Sequence, residues 1–369
     1  MKEINIGKAI ILKRKEKGIT QDELAAYIGV SKASVSKWET GQSYPDITFL
    51  PQLATYFNIS IDELIGYAPQ MTKEDIKKLY HRLTVDFGSK SFDEALNECH
   101  EAIRRYYSCF PLLLQMAILF VNHFMLAKEK AEQEAILQEA IELCRRIKAE
   151  SDEVWMINEA NSIEAMCCLM LQRPADALEL VAGTTRPSPS NETILANAYQ
   201  MTGNIQKATE VMQSGIYQHL VELIGMMPGY LLLYQNDAER FEEILRRTIC
   251  LTENFRINTL HPAMILPFYL SAAQGYAMQN NQDRAMDMLE KYMDVCTLIE
   301  FPFTLHGDTF FDHIDGWFAE FDLGNQAPRD EKVIKESMIQ GIAANPTFAA
   351  FAEHPRYKNM VETMKTKLN

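Results

Sequence analysis

The sequence predicts an all-α protein with two units, a small unit of five short helices over residues 1–66 and a longer α-solenoid over residues 72–300. Three observations support this prediction. Apolar residues recur at the spacing of helices, no stretch alternates apolar and polar residues as a half-buried strand does, and capping residues with glycine stops punctuate the first 66 residues. The 369 residues are too many for one small core and suit two or three units.

Charge is distributed unevenly between these units. Residues 1–70 hold eight basic and eight acidic residues, so the whole formal net charge of −14 lies in the remainder, which has 28 basic and 42 acidic residues. Most of the chain would repel a polyanion, and only the first 70 residues could meet one.

The sequence gives no sign of a membrane or of an oxidising compartment. The most apolar run, residues 111–127, is interrupted by Gln115, Asn122 and His123 and predicts a buried helix. The seven cysteines form no Cys-x-x-Cys pair, and the first residues do not read as a signal peptide. We therefore expect a cytoplasmic protein with reduced thiols and no membrane partner.

Local signals define the short helices of the first unit. Residues 20–23, TQDE, predict a capping box that opens the second helix, and Gly29 predicts the turn after it. Residues 60–63, SIDE, predict another capping box, which opens a last helix that ends at Gly66.

The third helix carries the pattern that points to function. Ser31 caps this helix and is also a candidate DNA contact, and Val35 and Trp38 lie three residues apart and face inward. The outward face then holds Lys32, Ala33, Ser36 and Lys37. Two helices joined by a tight glycine turn predict a helix-turn-helix, and a face of small residues with two long cations suits the major groove of DNA. The alternative is a helix-turn-helix that binds only protein.

A family resemblance covers about residues 4–66. The segments that carry it are ITQDELAAYIGVSKASVSKWETGQSYPD and LPQLATYFNISIDELIG, and they resemble the DNA-binding domain of the phage-repressor (Cro/C1, or XRE) family. The resemblance implies that Lys32, Ala33, Ser36 and Lys37 face bases. Lys32 and Ala33 depart from the glutamine-rich versions of the family, so the resemblance does not imply which base sequence the helix reads.

The same resemblance implies the contacts with the DNA backbone. Gln21 would contact phosphate or a neighbouring base reader, and Arg14 would pair with Glu39 and face phosphate. Backbone amides around Gly41, Gln42 and Ser43 would also approach phosphate.

Residues 72–300 read as about six helix pairs. Four segments share a frame whose small residue on the second helix is aligned at Ala95, Ala177, Ala208 and Ala285. The spacing is near the ~34 residues of a tetratricopeptide repeat. We expect Tyr199 and Tyr276 to fill the space between paired helices. We further expect a linker at 67–71 and a helical extension and cap at 301–369, with residues 301–345 helical but outside the repeat.

A solenoid of helix pairs has a groove lined by the first helix of each pair. Five amide side chains fall on such helices: Asn122, Asn158, Asn161, Asn197 and Gln274. An amide both donates and accepts hydrogen bonds, so it can clamp an extended peptide backbone. The sequence therefore predicts effector contacts at these positions, and the alternative is that they are ordinary polar helix positions.

One acidic and histidine-rich stretch raises the question of a metal-dependent hydrolase. It holds His306, Asp308, Asp312, His313 and Asp315. Asp312 and His313 are adjacent and would point apart on a helix, and no second cluster completes a site. No Walker loop, GxGxxG, GxSxG or HExxH motif occurs. We therefore predict no catalytic residue, no metal and no cofactor, and keep a hydrolase as the least favoured alternative.

The two units together resemble XRE-type regulators fused to tetratricopeptide repeats, the peptide-pheromone-responsive Rgg/PlcR/PrgX group of Gram-positive bacteria. The resemblance implies a cytoplasmic homodimer whose repeats bind a short imported peptide and whose two helix-turn-helix units bind a palindromic operator in double-stranded DNA. The alternative keeps the DNA-binding unit and makes the solenoid a docking surface for a protein partner.

Overall fold

The computed structural model describes residues 6–66, 70–183 and 190–368, and within these ranges the all-α prediction is confirmed. Regular structure in them is helical apart from one isolated β-bridge between Thr304 and Gln326. Residues 67–69 of the expected linker lie outside the described residues.

Five short helices form the N-terminal unit. They are α1 (Ile6–Glu16), α2 (Gln21–Ile28), α3 (Lys32–Glu39), α4 (Leu50–Phe57) and α5 (Ile61–Ile65). Each helix contributes to one small hydrophobic cluster, to which Ile10, Leu24, Val35, Leu53 and Leu64 bring fully buried side chains. The unit therefore has a core of its own.

The two expected capping boxes differ in the structure. Thr20 Oγ1 accepts from the Glu23 amide at 3.2 Å, and the Thr20 amide donates to Glu23 Oε2 at 2.7 Å, so the first box is complete. Ser60 Oγ accepts from the Glu63 amide at 3.0 Å. The return bond from Glu63 to the Ser60 amide is absent from the contacts of the described residues, so the second box is half formed.

The following region is a succession of paired helices. They are α6 (Lys73–Ser89), α7 (Phe92–Arg105), α8 (Phe110–His123), α9 (Lys130–Glu150), α10 (Val154–Met170), α11 (Pro174–Val181), α12 (Asn191–Met201), α13 (Ile205–Leu233), α14 (Ala238–Asn254), α15 (Ile257–Leu260), α16 (Pro262–Met278) and α17 (Gln282–Leu298). The 29-residue α13 packs on α12 and also on α14, and it continues through Pro228. One long helix thus serves two successive pairs, and the described residues of the region form six pairs when α13 is counted twice.

The small residues of the repeat frame lie mostly at helix contacts. Ala95, Ala177 and Ala285 are buried, whereas Ala208 is half-buried. Tyr276 is buried with its ring centroid 5.1 Å from that of Phe241. The assignment of these pairs to tetratricopeptide repeats stays a prediction.

The expectation of helix throughout residues 301–345 is wrong for most of residues 301–330. Only α18 (Asp315–Ala319) interrupts this irregular stretch, and α19 (Glu331–Ala343) and α20 (Pro355–Leu368) follow it. Pro302 and Pro328 lack the N–H group that a helix interior needs. Asp308 Oδ1 accepts from the amides of Phe310 and Phe311, both at 2.9 Å, and this bonding favours a turn.

Residues 299–330, which we name the return segment, pack against the beginning of the helical region. Lys73 on α6 lies 2.9 Å from Asp322 and donates to the Glu320 carbonyl at 2.5 Å. Gln115 on α8 donates to Asp322 at 3.2 Å. Leu323 joins the hydrophobic cluster of α6 to α11. The return segment therefore ties the last helix pair to the first.

The hydrophobic cores of the helical region form two clusters. One joins α6 to α11, and the other joins α13 to α20 and includes Phe311, Ile314 and Phe318 of the return segment. Within the described ranges, no helix has the length and apolar character needed to cross a membrane.

Candidate nucleic-acid interface

The outward face of α3 is small, polar and cationic. Lys32, Ala33 and Lys37 are exposed and Ser36 is half-buried. On the opposite face, Val35 is fully buried. The helix is therefore oriented as the sequence predicts, with its short side chains and both lysines toward solvent.

The entry to α3 is set by a tight turn. Gly29 has a φ of +82°, a left-handed conformation that glycine adopts without steric strain. Its amide donates to the Ala25 carbonyl at 2.9 Å. Ser31 Oγ accepts from the Ser34 amide at 3.1 Å, so this side chain caps α3. Ser31 is exposed and lies at the end of α3 that also carries Lys32.

A partly buried ion pair joins the helices of this unit. Arg14 Nε and Nη2 donate to the two carboxylate oxygens of Glu39 at 2.6 and 3.1 Å, and Gln21 Nε2 donates to Glu39 at 2.7 Å. Burial opposes ionisation of Glu39, but the hydrogen bonds from Arg14 and Gln21 outweigh it and lower the pKa of the carboxyl group. The network fixes α1 and α2 against α3.

This network changes the role expected of Arg14. Its side chain is only 15% exposed, and Nη1 donates to the Ile19 carbonyl at 2.8 Å in addition to the Glu39 bonds. The expected pairing with Glu39 is present. The guanidinium has most of its donors committed inside the unit, so Arg14 acts here by positioning helices.

The two lysines of the outward face have different surroundings. Lys32 Nζ lies 2.6 Å from Asp22 Oδ2, and both side chains are more than half exposed. Lys37 forms no ion pair with the residues that the structure describes. The sequence does not reveal Asp22 as a neighbour of the outward face of α3, because an acidic residue in the first turn of a helix is already explained by the helix dipole.

The backbone amides after α3 are occupied. The Gly41 amide donates to the Trp38 carbonyl at 3.2 Å, and the amides of Gln42 and Ser43 donate to the Lys37 carbonyl at 2.9 and 3.3 Å. Gly41 has a φ of +74°, which shapes this turn. Contacts with phosphate from this loop would therefore rely on the side chains of Gln42 and Ser43.

Comparison with known proteins identifies this unit. Residues 10–64 match the helix-turn-helix family HTH_3. The chain is 31% identical over 84 residues to the competence pilus inhibition repressor of Acinetobacter baylyi, a match that covers 22% of this chain and 76% of the repressor. The chain belongs to the helix-turn-helix family of transcriptional regulators. The chain is also 34% identical over 74 residues to the transcriptional activator BcrR of Enterococcus faecalis. That match covers 18% of this chain and 36% of BcrR, so the chain spans about a third of the length of BcrR.

Solved structures resemble the regulator only loosely over most of its length. PlcR of Bacillus thuringiensis, in complex with the peptide PapR7 and DNA, is 15% identical with a TM-score of 0.30, and the match covers 79% of this chain and 95% of PlcR. The apo competence regulator ComR of Streptococcus vestibularis is 13% identical with a TM-score of 0.26, covering 81% and 93% of the two chains. Scores of this size say nothing about what the regulator binds.

The five amide side chains predicted to contact an effector fall into two groups. Asn122 Nδ2 donates to the Tyr80 hydroxyl at 3.1 Å, and Asn161 bonds both Lys148 Nζ and the Leu180 carbonyl at 3.0 and 2.9 Å. These two amides hold the fold together. Asn158 and Asn197 are exposed and Gln274 is half-buried, and their side chains have no hydrogen bond within the described ranges.

The residues considered for a metal site act as loop supports. Asp315 accepts from the Gly307 amide at 2.6 Å. Asp312 accepts from Gln213 on α13 and lies 2.7 Å from His313 Nδ1. His306 Nδ1 contacts the Gly307 carbonyl at 2.8 Å. Among the described residues, no three histidine, cysteine or carboxylate side chains are grouped as metal ligands would be.

Proposed function

We propose that this regulator binds a palindromic operator as a cytoplasmic homodimer through α3, and that its helical region senses a short peptide that controls the DNA-binding dimer. The observation that carries the DNA-reading part is the outward face of α3. It has no large apolar side chain, and Lys37 extends from it without an ionic partner among the described residues. Lysine donates to the acceptors of guanine in the major groove, and small neighbours allow close approach.

Different residues of the unit suit different parts of the duplex. Lys32, Ala33, Ser36 and Lys37 lie on the face that would enter the groove. Gln21 at the start of α2, and the side chains of Gln42 and Ser43 after α3, would contact the backbone. Backbone contacts position the protein, and base contacts provide sequence specificity. Arg14 would contribute indirectly through Glu39.

The small size of the DNA-binding unit supports a homodimer. A single small DNA-binding module buries a limited area, roughly 600–1,000 Å², and two linked modules gain affinity because the second contact becomes intramolecular. Two-fold related modules read half-sites about 34 Å apart or a multiple of it. We infer that the helical region holds the two modules at this spacing.

Selection of DNA from a random duplex pool by the full-length protein tests this proposal. We expect an enriched site with two-fold symmetry. Residues 1–66, which have a hydrophobic cluster of their own, should bind one half-site much more weakly than the full chain binds the whole site. Equal affinity of the fragment and the full chain, measured by fluorescence anisotropy, would contradict the dimer.

The peptide-sensing part is supported by the amide side chains that form no hydrogen bond with the described residues. Asn158 and Asn197 are exposed on α10 and α12, and Gln274 is half-buried on α16. These are first helices of their pairs, as are α6 and α8, which contact the return segment. A peptide on this side would therefore share the surface with residues 299–330. We infer that peptide binding and the position of the return segment are coupled.

A thermal-shift titration tests peptide sensing. The titrant is the peptide-containing fraction of the source organism's spent medium, before and after protease treatment. A ligand that binds the folded state raises the melting temperature by mass action. We expect a protease-sensitive rise that is reduced in Asn197→Ala and retained in the control Asn254→Ala, an exposed residue of α14. No rise at any dose would count against a peptide effector.

A protein partner is the second candidate, and one observation favours it. Large apolar side chains are exposed along α11 to α13, namely Leu178, Ile194, Met201 and Ile205, and Met201 is 89% exposed. Exposed apolar surface of this kind often marks a contact with protein. Affinity capture with full-length protein and with Met201→Glu separates the two candidates, because loss of a captured protein in the variant would support docking.

A further inference from the structure

A cavity of about 390 Å³ lies between α16, α19 and the two arms of the return segment. One arm supplies Phe301 and Phe303, and the other supplies Pro328 and Arg329. The volume falls within the roughly 300–1,000 Å³ of small-molecule sites. The return segment forms part of the cavity wall by folding back on α16. The repeat pattern of the sequence therefore does not predict the cavity.

The walls of this cavity are apolar and aromatic. Leu266 on α16, Ile334 on α19 and the rings of Phe301 and Phe303 line it. His261 also lines it, with Nδ1 2.8 Å from the Tyr217 hydroxyl. Burial lowers the pKa of His261 to about 4, so this imidazole is neutral near pH 7. The lining therefore disfavours a highly charged ligand, except for a negative charge placed next to Arg329.

Arg329 is the charged residue among those that line the cavity. Its Nη1 donates to Ser337 Oγ at 3.2 Å, and it forms no ion pair with a carboxylate of the described residues. Burial lowers the pKa of the Arg329 guanidinium, which nonetheless stays protonated near neutral pH. A guanidinium has five N–H donors, and most of those of Arg329 have no acceptor among the described residues.

The lack of an ionic partner sets Arg329 apart from two largely buried carboxylates of the described residues, and the acidic residue beside Arg329 forms its bond elsewhere. The largely buried Glu39 and Glu164 each have an arginine partner, Arg14 at 2.6 Å and Arg145 at 2.8 Å. The carboxylate next to Arg329, Asp330, instead caps α19 by accepting from the Lys332 amide at 2.9 Å. A half-buried cation without an anion is costly, and an incoming carboxylate would remove this cost through paired, charge-assisted hydrogen bonds.

We propose that this cavity binds an apolar carboxylate, whose two oxygens accept from Arg329 while its hydrocarbon part packs on Leu266, Ile334 and Phe301. Two sources share this chemistry, the C-terminal residues of a short peptide and a free aryl or alkyl carboxylic acid. The proposal deepens the sensing function and rests on it, because it places an effector against the return segment. Capture of a terminal carboxylate is a recurrent mode of peptide recognition.

Isothermal titration calorimetry on the full-length protein tests the proposal with three probes: N-acetyl-Leu-Phe with a free carboxylate, its C-terminal amide, and 4-phenylbutyrate. We expect at least one acid to bind, and the amide to bind about tenfold or more weakly than the matching acid, because it lacks the charge. Tighter binding of the dipeptide acid assigns the site to peptide termini, and tighter binding of phenylbutyrate assigns it to small acids.

Variants separate the cavity from other surfaces. Arg329→Gln should abolish the preference for the acid over the amide. Ile334→Trp should block binding by filling the cavity while it keeps Arg329, which covers the case in which Arg329→Gln fails to fold. The control Arg356→Gln, a half-buried residue of α20 that pairs with Asp287 and Glu290 of α17 and does not line the cavity, should bind the acid as the wild type does.

Three results would overturn the proposal: no acid binding at millimolar concentration, equal binding of acid and amide, or wild-type binding by a folded Arg329→Gln. The titration contains no DNA. Operator selection can therefore succeed while this proposal fails. A protease-sensitive thermal shift, together with equal binding of acid and amide in the calorimetry, would place the peptide at another site.

Discussion

The hydroxyl of Tyr80 on α6 donates a 3.1 Å hydrogen bond to the carbonyl of Pro328, 248 residues further along the chain. The same hydroxyl accepts from Asn122 on α8 at 3.1 Å. Tyr80 is fully buried, and burial raises the pKa of its hydroxyl. This contact, with the neighbouring bond between His81 and the Leu323 carbonyl at 2.9 Å, holds the return segment on the first helix pair.

Tyr80→Phe should loosen the return segment. The substitution leaves the Pro328 carbonyl and the Asn122 amide without their partner, which costs about 1–3 kcal/mol when such groups are buried. We expect a lower free energy of unfolding of the helical region and faster amide exchange in residues 320–330. Hydrogen exchange by mass spectrometry measures this, with the exposed Tyr44→Phe as control. Unchanged protection of residues 320–330 would show that other contacts hold the segment.

Lys37→Ala should weaken operator binding. Lys37 lies on the outward face of α3 and lacks an ionic partner among the described residues, so its ammonium group is free to reach a base edge. A good base contact is worth about 1–3 kcal/mol, which predicts roughly a 5- to 150-fold loss and relaxed specificity at one position. Fluorescence anisotropy with the selected operator measures it. Lys78→Ala on α6 is the control, and equal losses for both variants would contradict the assignment.

Asp22→Asn should strengthen DNA binding. The Asp22 carboxylate lies 2.6 Å from Lys32 Nζ and competes with DNA for this cation. Exposed pairs contribute only about 0.2–1 kcal/mol, so we expect a gain of at most about fivefold that shrinks as salt is added. Asp62→Asn on α5 makes the same charge change away from α3 and serves as the control. An equal gain in the control would attribute the effect to net charge alone.

Gly7→Ala should destabilise the N-terminal unit. A methyl group on Gly7 would overlap the Trp38 carbonyl oxygen and lie 3.1 Å from that of Glu39, so α1 could not keep its approach to α3. Alanine favours helix by about 1 kcal/mol, but overpacking against backbone costs about 1–3 kcal/mol. We expect a net loss, measured by urea unfolding of residues 1–66. Gly229→Ala in the full chain has open space around it and should not destabilise α13.

Local chemistry made the N-terminal unit predictable from sequence. The capping box of Thr20 and Glu23, the turn at Gly29 and the inward Val35 each depend on residues within a few positions of one another. The pair of Arg14 and Glu39 spans 25 residues and was implied by family resemblance. The link between Asp22 and Lys32 could not be predicted in this way, because it depends on the angle between α2 and α3.

The fold and position of the return segment could not be predicted from the sequence, for a physical reason. Its contacts join residues more than 200 positions apart, such as Tyr80 with Pro328, and helical periodicity carries no signal for them. The expectation of helix at 301–345 overlooked the prolines and the turn-forming Asp308. Arg329 likewise carries no signal in the sequence, because its neighbours along the chain do not show that it lacks an ionic partner among the described residues.

Stability should fall on acidification because of a buried histidine. His123 Nδ1 contacts the Leu119 carbonyl at 2.8 Å, its ring stacks on Phe87, and its Nε2 has no partner in the described structure. Burial lowers the pKa of His123 to about 4 from 6.5; the Leu119 bond and Asp330 oppose this shift, and Arg329 adds to it. The unfolded chain therefore takes up a proton below pH 6.5 that the folded protein does not bind until near pH 4.

The free energy of unfolding should consequently decrease as the pH falls from about 6.5 to about 4, by up to about 3 kcal/mol for this residue. His123→Gln keeps a donor for the Leu119 carbonyl and removes the titrating group, so its unfolding free energy should depend less on pH in that window. The exposed His219→Gln should retain the wild-type slope. Urea unfolding between pH 4 and 7 measures all three proteins, and identical slopes for His123→Gln and the wild type would contradict a neutral, buried His123.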